Sequence, residues 1–181
     1  MYHPLRALSS IFACAVGVRP NENMEIDWSA VEEKLGIHLP ADYKDFISTY
    51  GTGQINDYLY ILNPVSINEN INLFDWIESI KSSSILCLRD FGAPTPPFIY
   101  PEPAGVIPWG YTDNGEGFYW IPEKGIDPML WPCTIIEERS GENETINAPM
   151  STILLGFLSK RLAVCMINME PFFSSPSFLA L

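Results

Sequence analysis

Six prolines fall within residues 92–108 (Pro94, Pro96, Pro97, Pro101, Pro103 and Pro108), and no other feature constrains the chain as tightly. Each fixes φ near −65° and removes a backbone donor, so neither a helix nor a central strand runs through such a density. The stretch reads as an ordered loop or an extended, polyproline-like crossing. It separates a helix-patterned front from a strand-patterned back, with little sign of a domain boundary.

In the front half, Asp27 is placed to cap a helix in "DWSAVEEKLG", with Trp28, Val31 and Leu35 as its apolar stripe and Gly36 as its left-handed stop. "LPADYKDFISTYG" repeats the logic: Pro40 opens it, Tyr43, Phe46, Ile47 and Tyr50 share a face, and Gly51 ends it. "QINDYLYIL" then reads as one strand closed by Asn63-Pro64. Ile71, Phe74, Ile77 and Ile80 predict a third helix in "NINLFDWIESIKSS".

In the back half, "VIPWGYTDNGEGFYWIP" predicts a hairpin with strands at 106–111 and 118–121 around a turn at 112–117, where Asn114-Gly115 supplies positive backbone angles. "MLWPCTIIEER" offers a strand bent at Pro132, and "ENETI" a short neighbour. "APMSTILLGFLSKRL" puts Met150, Ile153, Leu154, Phe157, Leu158 and Leu162 on one helical face, with Lys160 and Arg161 near its C-terminus.

This order predicts an α+β fold: one domain, a mostly antiparallel sheet, and helices against one face. Residues 1–26 are expected to pack on the domain, with Leu5, Leu8, Phe12 and Ala15 at helical spacing. The domain proper spans 27–165, and 166–181 form an apolar, irregular tail. The competing reading of the first residues, an export signal ending at Cys14, suffers from a short apolar run broken by Ser9 and Ser10. No stretch reaches the roughly 20 apolar residues that span a bilayer.

The candidates for chemistry are few. Cys14, Cys87, Cys133 and Cys165 form no CxxC pair and have no histidine near them, so no zinc site is expected and a reducing cytoplasm is the simplest setting. Only His3 and His38 exist. "YGTGQI" fails the dinucleotide pattern, and "TDNGEG" lacks the spacing of a calcium loop. The adjacent pairs Glu32–Glu33 and Glu137–Glu138 do not suit a shared substrate, and "NET" at 143–145 is a sequon in form only. No cofactor, metal or catalytic residue is expected. An unrecognised hydrolase would require distant carboxylates to converge.

Charge is the remaining signal. The chain carries −12, which disfavours direct nucleic acid binding. Residues 100–145 hold nine acids against two bases, over half of that excess in a quarter of the chain. Asp113, Glu116, Glu137, Glu138, Glu142 and Glu144 are the candidate contacts for a basic protein partner. The plain alternative is a solvated loop region around core aromatics.

The succession of a tryptophan helix, "LGIHLPADYK", "YGTG", a strand ending in "NP", "IPWG", "NG" and "YW" resembles the SUKH superfamily, the Smi/Knr-type domain of yeast cell-wall regulators and many bacterial proteins. The resemblance covers residues 27 to about 160. Trp28, Leu39, Pro40, Tyr43, Gly51, Pro108, Trp109, Gly110, Gly115 and Trp120 carry over, as fold positions. It implies an α+β domain without enzymatic activity, whose bacterial members mostly bind and neutralise polymorphic toxins, frequently nucleases or deaminases. A regulatory scaffold of the yeast type is the alternative. The "PTPPFIYPEP" loop and the hydrophobic tail depart from the pattern.

Overall fold

The computed structural model describes residues 6–8, 10, 25–92, 97–138 and 140–181. The first helix, α1 (Trp28–Leu35), is capped where the sequence requires: Asp27 Oδ1 accepts from the Ala30 N–H at 3.1 Å, and Gly36 follows at φ 74°. Val31 is its buried residue, with Trp28 and Leu35 half-buried beside it. Helix α2 (Ala41–Tyr50) starts after Pro40 and buries Tyr43, Phe46, Ile47 and Tyr50. It also buries Asp42, whose Oδ2 accepts from the Ser151 N–H at 2.8 Å. A carboxylate taken from α2 thereby caps a helix far along the chain.

"QINDYLYIL" forms two strands rather than one, β1 (Gly53–Ile55) and β2 (Leu59–Ile61). Asn56 and Asp57 take φ of 52° and 50°, the pair of left-handed residues that lets antiparallel strands join in so few residues. The Asn-Asp pair was the signal, outweighed by the β-prone residues on either side. Helix α3 (Leu73–Phe91) begins later and runs further than predicted, for 19 residues. Its N-cap is Asn72, whose Oδ1 accepts from Phe74 and Asp75, so Ile71 lies before the helix.

The central hairpin consists of β3 (Ile107–Thr112) and β4 (Glu116–Trp120). Only Gly115 in its turn has positive φ (95°), and its N–H donates to Thr112 O, so the loop is the three-residue type rather than a two-residue Asn-Gly turn. Pro108 lies in β3, the middle strand of the sheet, where proline is ordinarily excluded. It is tolerated at the end of the strand where pairing with β2 reaches only Gly110, and the register with β4 slips just after it, between Pro108 and Gly110.

Strand β5 (Cys133–Glu137) starts just past Pro132, after a 3-10 turn at Pro128–Leu130, and pairs with β6 (Asn143–Ile146). Helix α4 (Met150–Leu158) ends earlier than its apolar pattern suggests. Lys160 turns left-handed (φ 59°), and the Arg161 and Leu162 N–H groups donate to Gly156 O. Leu162 thus folds back onto the helix, and a Cβ on Gly156 would lie 2.7 Å from Leu162 Cβ.

The apolar end of the chain is not irregular. After α5 (Glu170–Phe173), strand β7 (Phe178–Ala180) pairs with β1 at the sheet edge and buries Phe178 against Phe46 and Tyr50. Asn56 holds it, with Nδ2 donating to Pro171 O at 2.9 Å and Oδ1 accepting from the Ser177 N–H at 2.6 Å. At the other terminus Leu8 is fully buried in the main core, while Leu5, Phe12, Ala15, Cys14 and His3 lie outside the described residues.

The result is one α+β domain on a seven-stranded antiparallel sheet of order β6-β5-β4-β3-β2-β1-β7. Helices cover both faces rather than one. Trp109, Phe118 and Trp120 face α1, α2 and α4, whereas Tyr111, Leu62 and Ile99 face α3 through Leu73, Trp76 and Ile77. On β4, alternation sends Phe118 and Trp120 to one face and Tyr119 to the other, while on β3 the bulge at Trp109 places Trp109 and Tyr111 on opposite faces. The positions carried over from the resemblance lie in this interior. Trp28 meets Tyr43 edge-on, Tyr43 meets Trp120, and Tyr43 Oη donates to Leu62 O at 2.7 Å. Each fully buried ring contributes about 2–3 kcal/mol by burial.

Candidate functional site

Three hairpins turn at the same end of the sheet, bringing residues 56–57, 113–115 and 138–142 side by side. This tip end holds all six acids singled out in the sequence, but in different settings. Asp113 and Glu142 are exposed; the Asp113 carboxylate sits against the Tyr60 hydroxyl, a hydrogen-bond donor to it, whereas the Glu142 carboxylate has no partner among the described residues. Glu116 lies beneath the turn, 8% exposed, where Thr112 Oγ1 and Tyr58 Oη donate to its Oε2. Glu144 is half-buried on β6, and its Oε2 accepts from the N–H groups of Cys165 (2.8 Å) and Met166 (3.3 Å). Glu137 Oε2 accepts from the Ser140 N–H at 2.6 Å.

Glu138 is exposed as a residue, yet its Oε1 accepts a 2.8 Å bond from the fully buried Tyr119. Burial raises its pKa above the ordinary 4.5, the neighbouring Glu137 charge adds to that, and the Tyr119 bond pulls the other way.

Beside Asp113 stands an aromatic stack that the sequence reading did not anticipate. Trp76 of α3 lies 4.1 Å from Tyr111, and Tyr111 lies 4.8 Å from Tyr60, with planes within 9° and 7°. All three residues are half-buried. Burial, with Tyr60 and Asp113 nearby, pushes the Tyr111 hydroxyl up to about 12. The 2-residue periodicity was the available signal, since Tyr60 and Tyr111 are direct cross-strand partners.

The opposite end of the sheet is also acidic. There the end of α1, the loop 100–105 and the loop 121–131 enclose a cleft of about 870 Å³. Glu32 is fixed in its wall, with Lys44 Nζ donating to Oε1 at 2.7 Å, the Leu39 N–H donating at 2.9 Å and His38 Nδ1 lying 2.7 Å from Oε2. Burial tends to raise its pKa, but these three bonds and the Lys44 charge outweigh it and hold the carboxyl below 4.5. The sequence pair Glu32–Glu33 thus divides, because Glu33 is exposed and unpaired among the described residues.

Among the described residues, no group of three or more His, Cys, Asp and Glu could hold a metal ion, and no helix is long and apolar enough to cross a membrane. Cys133 is buried and burial pushes its thiol up, Cys87 is half-buried and Cys165 exposed, all as free thiols.

Fold and loop chemistry together define an α+β domain whose antiparallel hairpins carry charged, non-repetitive loops at both ends. Residues 25–148 match the SMI1-KNR4 cell-wall (SUKH) family, and the chain belongs to it. Domains of this family are protein-interaction modules and are in general non-catalytic. Neither the curated proteins nor the solved structures contain a match to the chain.

Proposed function

We propose that this chain is an immunity protein that binds a basic protein toxin, of nuclease or deaminase type, in the cytoplasm and neutralises it through the acidic tip end. The observation that supports this best is the convergence of Asp113, Glu137, Glu138 and Glu142 beside the Tyr60–Tyr111–Trp76 stack. Negative charge draws in a basic surface and sets orientation, while half-buried rings offer the rigid apolar area on which binding energy concentrates. Glu116 and Glu144 drop out of the contact set, because Glu116 is buried beneath the turn and Glu144 is half-buried and holds two backbone N–H groups, whereas Glu138 is exposed even though one of its oxygens meets Tyr119.

Two experiments test the reading. Co-expression with a toxin encoded beside this chain should rescue growth and yield a complex, and failure of both overturns it. Reversing Asp113, Glu138 and Glu142 to lysine should weaken that complex about 10–100-fold and flatten its salt dependence. A second reading, an intracellular regulatory scaffold, draws on the cell-wall description of the matched family. Pull-downs that recover housekeeping proteins instead of a toxin favour it.

A further inference from the structure

The cleft at the far end of the sheet has the build of a preformed recognition site. Its floor is apolar, made by Ile37, Ile121, Pro122, Pro128 and Trp131. Its volume of about 870 Å³ lies within the range of sites that enclose a ligand. The walls are tied together before anything binds: Tyr100 Oη donates to Gly36 O across the cleft at 3.5 Å, Trp131 Nε1 donates to Glu123 O at 3.3 Å, and Glu32 is held by Lys44, Leu39 and His38. Such a site needs little ordering when it is filled.

Around this floor stand Glu33, Glu102 and Glu123, one from each wall, all exposed and none with a side-chain partner among the described residues. Against them the lining carries one lysine, Lys124. An apolar floor selects an apolar side chain, and a net negative mouth selects a cation beside it. We infer that the cleft is a second recognition site, separate from the hairpin tips, which takes a short protein segment presenting an apolar side chain flanked by lysine or arginine. An acidic segment is repelled at the mouth, and a polar uncharged one leaves the floor uncovered.

The test uses the full chain, ¹⁵N-labelled, titrated with three capped tripeptides. Acetyl-Lys-Leu-Arg-amide should shift the amides of Gly36, His38, Gly105 and Ile126 saturably, at roughly millimolar affinity. Acetyl-Lys-Ser-Arg-amide should bind about tenfold more weakly, and acetyl-Glu-Leu-Glu-amide should leave these amides unmoved. The triple variant Glu33→Gln, Glu102→Gln, Glu123→Gln alters exposed residues, so its remaining spectrum should overlay the parent while affinity for the Lys-Leu-Arg peptide falls about tenfold. No saturable shift, equal affinity in the variant, or shifts centred on Asp113 and Glu142 each overturn the inference. None of these outcomes bears on the toxin experiments, which read the other end of the sheet.

Discussion

At the tip end of the sheet, five of six acids are engaged by the protein itself: Asp113 by Tyr60, Glu116 by Thr112 and Tyr58, Glu137 by Ser140, Glu138 by Tyr119, and Glu144 by Cys165 and Met166. At the cleft end the proportion reverses, with Glu32 bound and Glu33, Glu102 and Glu123 free among the described residues. Equal charge in the sequence therefore stands for two different uses. A buried carboxylate serves the donors of the fold, whereas an exposed one stays available to a partner even where it also accepts a bond from a neighbour.

The largest break in this contrast is expected at Glu32. Glu32→Ala should cost about 2–3 kcal/mol in urea unfolding, because it strands charge-assisted donors in a partly buried wall. Its pKa is lowered in the fold, so its contribution is full above the ordinary 4.5 and disappears as pH falls through the folded value. The gap between parent and Glu32→Gln should close in that acid window. A gap that persists would leave Glu32 a packing residue only.

Glu116→Ala should cost about 2 kcal/mol and leave partner affinity unchanged. The reverse pattern, intact stability with lost affinity, would return Glu116 to the recognition surface. Glu144→Ala is expected to cost about 1 kcal/mol and to speed hydrogen exchange at Cys165 and Met166. Unchanged exchange there would remove Glu144 from the bonded group.

The smallest effect has the opposite sign. The Glu138 pKa is raised in the fold, so its stabilisation is complete below 4.5 and is lost as pH rises through the folded value. Glu138→Gln should lack that loss and match or slightly exceed the parent at neutral pH. A variant that is less stable at neutral pH would show the ionised carboxylate to be favourable at this position.

Local signals account for what was legible. Asp27 and Gly36 bound α1 as their chemistry demands, and Pro132 stops β5 from starting earlier. The errors arose where a local preference met a distant partner. The apolar period of "APMSTILLGFLSKRL" includes Leu162, but Leu162 packs best by folding back over Gly156. "SPSFLAL" has no strand length of its own, yet β1 offers an open edge and Phe46 and Tyr50 a place for Phe178.

By itself the sequence determined the class: capped helices, a proline-dense crossing, alternating aromatic strands and a strong acidic excess, each of which acts within a few residues. Only the tertiary structure decided which acids remain available. Whether Glu116 faces solvent or Thr112, and whether Glu33, Glu102 and Glu123 meet around one cleft, depends on pairing between strands and loops distant along the chain. That pairing is set by burial of both faces of the sheet, a quantity no short stretch of sequence contains.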